Sequence, residues 1–225
     1  MGNSLICVFT MLESRNDGYE TAEIADLVAR KTELLRGYRI DEVIPGEVLL
    51  PTLFAVACSG DRVLDFGGGF GFHYLTASQA FFSARSFRWA VVEHPHTLAR
   101  SEPFETEQLR FFESAEAAAQ WLGSVDLLHS NGTLQYLSEP EAMMRRLLHL
   151  NPSRILWARM LLGDERSEGP QTAALSAHGP GPAPAGLIDR EIIHRTVRME
   201  RSSFMQAHGG LRLVWQSADT FLFAR

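Results

Sequence analysis

The chain has 225 residues, 45% of them hydrophobic and 21% charged, with a formal net charge of -6. That length and composition suit one domain with a sizeable core. The acidic balance argues against a sequence-independent hold on nucleic acid, which needs a basic face.

In chain order, residues 5–12 look superficially like the apolar region of a signal peptide. No basic residue precedes them, no clear small-residue cleavage site ends them, and acidic residues follow. A myristoylation pattern fails at Ile6. No apolar run approaches the ~20 residues of a membrane span, so the expectation is a cytoplasmic protein with neither a membrane nor a nucleic-acid partner. Cys7 and Cys58 sit in apolar surroundings and read as small core residues in a reducing compartment. Neither has a Cys or His at zinc spacing, so no metal site is read from them.

Residues 21–36 place Ile24, Leu27, Val28, Leu34 and Leu35 on one helical stripe, with Thr21 as N-cap and Gly37 as stop. A second helix is expected over 47–57, with Pro51 limiting where it begins. Residues 1–60 are thus read as a helical cap packed on a core of residues 61–225; extra packing without function is the competing reading. From residue 62 strands and helices alternate, which predicts a mostly parallel sheet covered on both faces. Strands are expected at 62–66, 87–93, 109–112, 125–130 and 154–160, with a helix over 70–83 and an alanine-rich helix after Ser114. Another helix should open on a capping box, Ser138 with Glu141, and Pro140 in its first turn. Residues 163–186 are crowded with Gly and Pro and predict one long loop, either a lid or a solvated excursion. A helix near 200–208 precedes strands at 211–216 and 220–223. Their short connection requires antiparallel pairing.

The informative stretch is Asp65-Phe66-Gly67-Gly68-Gly69-Phe70-Gly71, a strand running into alternate glycines. Glycine permits positive φ and lets a ligand lie against bare backbone, and the next helix points free N–H groups at it. A dinucleotide fingerprint starting at Gly67 would need glycine at Phe72, and one starting at Gly68 would need it at Phe70. Ligands of open α/β sheets sit beyond the carboxyl ends of the strands. Asp65, Glu93, Glu113 and Ser130 fall at such ends. Glu93 lies 22 residues after Gly71, about where a carboxylate takes both ribose hydroxyls. A solvated strand terminus is the alternative.

The D-x-G-x-G-x-G spacing resembles motif I of the class I S-adenosylmethionine (SAM) methyltransferases, and Val125 to Leu137 looks like their motif IV with the segment after it. Together with His73-Tyr74 and Leu134-Gln135-Tyr136-Leu137, the chain is most similar to a bacterial methyltransferase family often associated with cell-surface polysaccharide genes. The resemblance covers roughly residues 18–225. It implies a Rossmann-like class I methyltransferase fold: α/β, a seven-stranded mostly parallel sheet with an antiparallel last strand, and helices on both faces. It implies SAM as cofactor, S-adenosylhomocysteine (SAH) as product, and a small-molecule or sugar-type acceptor methylated at oxygen; a homo-oligomer is left open. Asp65 would orient the glycine loop or meet the amino end of the methionine, Gly67, Gly69 and Gly71 would lie against the cofactor, Glu93 would take the ribose, and Phe112 and Glu113 would border adenine, with Ser130 at a neighbouring strand end. His73 is the candidate base, with Tyr74, Gln135 and Tyr136 as walls or hydrogen-bond partners. His129 reads as a core histidine. Arg159 and Gln171 match an Arg and a Gln of that family, and His178 could reach the acceptor if its loop folds over. Ala158 replaces the family's usual acidic residue, and Gly-Pro-Ala repeats replace its Tyr- and Pro-containing motif. Those departures on the acceptor side motivate a second reading, a non-catalytic SAM-binding or scaffold module. A nicotinamide-dependent oxidoreductase is disfavoured by the glycine spacing.

Overall fold

A computed structural model describes residues 21–81 and 85–225; Cys7 and the apolar run at 5–12 lie outside them. Seven strands form the main sheet: β1 (Arg62–Phe66), β2 (Arg88–Val92), β3 (Leu109–Phe112), β4 (Leu127–Asn131), β5 (Arg154–Ala158), β9 (Arg212–Ser217) and β10 (Thr220–Ala224). Their order is β3-β2-β1-β4-β5-β10-β9. The first five are parallel, and β10 runs antiparallel to both β5 and β9.

Strand side chains alternate between faces, and the sequence uses that alternation to build two cores. Leu64, Phe66, Leu128, Ile155, Trp157, Phe221 and Phe223 face one way, under α6 (Ala115–Leu122), α7 (Pro140–Leu148) and α8 (Arg201–Ala207). Val63, Leu127, Leu156 and Leu222 face the other, under α3 (Gly46–Ala57) and α4 (Phe72–Phe81). Two short helices, α2 (Ile40–Val43) and α5 (Pro95–Leu98), complete the set with α1 (Ala22–Leu35). Thr21 caps α1 by accepting from the Ile24 amide, and Ser114 caps α6 by accepting from the Ala117 amide. Pro51 sits inside α3, past the first turn.

Two local expectations are corrected. The Ser138 capping box does not form: Pro140 takes the first helical position of α7, which leaves Glu139 as N-cap with no side-chain cap bond. Glu141 instead pairs with Arg166 at 3.5 Å. Nor is 163–186 one long loop. It holds β6 (Leu162–Gly163) and β7 (Ser167–Ala174), which flank β8 (Glu191–Glu200) in a separate three-stranded sheet. Pro170 is tolerated because β7 is an edge strand.

The stretch that follows β7 is fastened to α1 by a buried lysine. Lys31, 1% exposed, donates from Nζ to the carbonyls of Ser176 (2.9 Å), His178 (3.0 Å) and Gly179 (2.9 Å). All three ammonium protons are used. Burial pulls the Lys31 pKa below its ordinary value. Gly179 and Gly181 have positive φ, and a Cβ on either would press at 3.0 Å on Val28 or Leu35. The segment therefore lies flush on the helix. Lys31→Met should cost about 2 kcal/mol by orphaning buried carbonyls. Hydrogen exchange should then accelerate at 175–181 more than in the main sheet; uniform acceleration would mean the clasp is not local.

Candidate active site

A crevice of about 410 Å³ opens at the carboxyl ends of β1, β2, β4 and β5, a size that suits a small organic ligand. Gly67–Gly69 form one wall, and Glu93, His94 and Thr97 lie to one side. His73, Asn131, Gly132, Thr133, Tyr136 and Arg159 lie to the other. Ile24, Ala25, Val28 and Thr32 of α1, with Ala177 and Gly179–Gly181, roof it; Ile44, Pro45 and Val48 also line it.

The three left-handed glycines of the turn answer to three different neighbours. A Cβ at Gly67 would strike Thr133 (2.2 Å to Oγ1), and one at Gly71 would strike Leu109 (2.7 Å). Those two glycines let protein segments approach each other. At Gly69 the added Cβ would find only Val28, at 3.6 Å, with the rest of its surroundings open to the crevice. Gly69 is thus the position where bare backbone faces a ligand. Its amide donates to Glu93 Oε1 (2.9 Å), and the His94 amide donates to Oε2 (3.1 Å). Burial pushes the Glu93 carboxyl up to about 7, against the pull of those two amides.

Beneath the turn lies a second carboxylate in the opposite condition. The parallel register sets Asp65 of β1 beside His129 of β4, on one face of the sheet. Asp65 is fully buried and accepts from His129 Nδ1 (2.7 Å), His73 Nδ1 (3.0 Å) and Trp89 Nε1 (3.2 Å). Burial alone would raise its pKa; the two imidazoles outweigh that and hold it below the usual carboxylate range. An ionised Asp65 only accepts, so both Nδ1 atoms carry protons, and in a neutral ring Nε2 is then the acceptor. His129, whose pKa burial lowers, receives the Thr52 hydroxyl at 2.9 Å. His73 Nε2 receives the Asn131 amide at 3.3 Å, on the crevice wall. The orientation of that amide is fixed in turn, because Arg159 Nε donates to Asn131 Oδ1 at 2.5 Å. Donor atoms of Asp65, His73 and His129 lie within 4.8 Å of one another, close enough to share a metal ion. Hydrogen bonds account for those atoms without one.

No family model and no curated protein sequence matches the chain. Among solved structures, the CcbJ methyltransferase from Streptomyces caelestis aligns over 90% of this chain and 97% of its own, with 13% identity and a TM-score of 0.52. A Nostoc punctiforme protein described as a candidate O-methyltransferase aligns over 90% of this chain and 60% of its own, with 8% identity and a TM-score of 0.51. A sugar N-methyltransferase, KedS8, from a Streptoalloteichus species covers 86% of this chain and 91% of its own at 14% identity, with a TM-score of 0.48. The fold is that of the class I methyltransferases.

Of the residues singled out from sequence, Gly67, Gly69, Glu93, His73, Tyr136 and Arg159 meet in the crevice. Others do not line it. Asp65 lies under the turn, and Gly71 packs on β3. Phe112 points by strand alternation to the α6 face, 5.7 Å from the Trp121 ring, and Glu113 is exposed beyond it; His94 and Thr97 line that end instead. Ser130, next to His129 on β4, takes the opposite face of the sheet, and its Oγ has no partner among the described residues. Tyr74 turns into the core and donates to Gln108 (2.9 Å). Gln135 also lies off the crevice. Gln171 is a strand residue of β7, reached by the Tyr136 hydroxyl at 3.3 Å. His178 is buried against β8, with Nε2 2.6 Å from His194 Nε2, so its flanking residues and not its ring reach the crevice.

Asn131, Thr133, His94 and Thr97 were not anticipated. The strand-end rule would have pointed to Asn131, the last residue of β4. The environment of Glu93 yields a test. Its folded pKa, about 7, lies above the ordinary value of 4.5, so ionisation opposes folding. The penalty is absent below pH 4.5, grows through the interval, and is complete above 7. Glu93→Gln should raise Tm relative to the native protein at pH 8 and not at pH 4.5. Equal Tm differences at both pH values would contradict this.

Proposed function

We propose that the protein is a SAM-dependent methyltransferase acting at a hydroxyl of a small-molecule acceptor, sugar-type molecules included, in the cytoplasm. The observation that carries this is the pairing of the Gly69 backbone with the Glu93 carboxylate across one side of the crevice. An open glycine surface suits the amino-acid end of the cofactor. Glu93 accepts from the Gly69 and His94 amides and from the Thr97 side chain, and a carboxylate with about four lone-pair sites keeps one for a ribose hydroxyl.

SAM would supply an electrophilic methyl group, so the protein's task is alignment, exclusion of water and removal of one proton. His73 Nε2 is the acceptor for that proton: it faces the crevice as a lone pair, currently taken by the Asn131 amide. Asp65 holds the ring from behind through Nδ1 and would stabilise the imidazolium that results. The roof from α1 and 177–181 closes the space from above. The polar groups on the far side from Glu93, namely Asn131, Thr133, Tyr136 and Arg159, are assigned to the acceptor.

Calorimetric titration with SAH should give micromolar binding or tighter, and no binding at millimolar SAH would remove the reading. Gly69→Ala should weaken SAH at least tenfold. The added methyl lies in the crevice, and the left-handed backbone costs only about 1 kcal/mol of stability. Unchanged affinity in that variant would place the cofactor elsewhere. Because the ribose is held by the ionised Glu93, SAH affinity should fall about tenfold between pH 8 and pH 6. The same comparison in Glu93→Gln should be flat.

A further inference from the structure

Arg159 stands in an unusual backbone setting. It follows β5 directly and has φ of 53°, in the left-handed region that a side chain with a Cβ rarely adopts. The next strand-end loop makes room for it: Gly132 has φ of 69°, and a Cβ there would sit 2.9 Å from Arg159 Nη2. Two separate backbone distortions are therefore maintained around one guanidinium. Backbone held in sparsely populated regions by its surroundings concentrates at ligand sites.

Asn131 holds the guanidinium by two acceptors, its side-chain oxygen to Nε (2.5 Å) and its carbonyl to Nη2 (3.1 Å). Both are neutral, and no carboxylate among the described residues pairs with Arg159. Other exposed arginines, such as Arg62 and Arg146, are spent on Asp126 and Glu116. Guanidinium has five N–H donors, so three remain on a side chain that lines the crevice. A fixed planar fork of that kind matches the oxygens of a carboxylate or phosphate.

The same Asn131 donates its amide to His73 Nε2. One carboxamide thus spans the distance from the cation to the proton acceptor. We infer that the acceptor is a small oxyanion, a carboxylate or phosphate ester, bearing a hydroxyl a few bonds from its charge. Arg159 binds the anion and His73 meets the hydroxyl. A sugar acid and a sugar phosphate both answer that description. The role given to His73 rests on the methyltransferase reading; the anion site does not.

The test uses the SAH-loaded protein and two anion probes, malonate and inorganic phosphate, titrated by calorimetry at ionic strength held constant with chloride. Saturable binding in the millimolar range is expected, and at least tenfold weaker binding in Arg159→Gly. That variant removes the guanidinium and also relieves the left-handed backbone, so it should fold with SAH affinity retained within twofold. Arg159→Lys keeps the charge and loses the fork, and should fall between the two. Stronger binding of malonate would point to a carboxylate acceptor and of phosphate to a phosphate ester, each consistent with the inference. No saturable binding below about 100 mM, which corresponds to only about 1.4 kcal/mol, or equal binding in Arg159→Gly, would overturn it. If SAH fails to bind while the anions do, the cofactor assignment falls and the anion site stands. SAH binding without anion binding has the opposite meaning.

Discussion

The carboxylate of Asp65, fully buried and shared by two imidazoles and an indole, is the contact around which the rest of the site is arranged. A buried carboxylate stripped of water is costly unless its oxygens are met by donors. Here the donors come from β4, α4 and β2, so satisfying one charge fixes three elements relative to β1. The glycine turn rests directly on this group: a Cβ on Gly68 would lie 2.4 Å from Asp65 Oδ2. Thr52 extends the network into α3, and Asn131 carries it to Arg159. An unbroken hydrogen-bonded chain thus links a core helix to the wall of the crevice, with its proton positions dictated by a single ionised oxygen pair.

A second carboxylate, immediately after the next strand, is in the reverse condition. Glu93 receives the Gly69 and His94 amides and the Thr97 side chain, pairs with no Lys or Arg among the described residues, and burial dominates. Asp65 pays for its burial within the fold, whereas Glu93 keeps capacity for an outside partner. Such a division, between an acid whose charge is balanced inside the fold and one whose charge is not, marks Glu93 as the candidate for a ligand.

Much of this was legible from the chain alone. The strand positions follow from apolar runs between turn residues, and the antiparallel last pair from the shortness of the 217–220 connection. Gly67, Gly69, Glu93 and His73 follow from position at strand ends and in the turn after β1. What escaped was whatever depends on strand register or on faces that sequence pattern leaves ambiguous. His129 lies in an apolar run, yet only the β1–β4 register puts it on Asp65. Strand β8 hides its period-two pattern because two of its inward positions are His194 and Thr196 in place of aliphatic residues. With β8 unseen, β7 had no visible partner, and its Gly169-Pro170 read as loop. His178 followed that error: placed in a loop it could swing inward, but next to a real strand it is packed against His194.

The clasp at Lys31 joins residues 145 to 148 positions apart in sequence. Its two halves are far apart along the chain, so the contact closes a long loop, whose entropic cost grows only slowly with its length. A chain cut short before residue 176 would thus carry the glycine turn and its carboxylates without that cover.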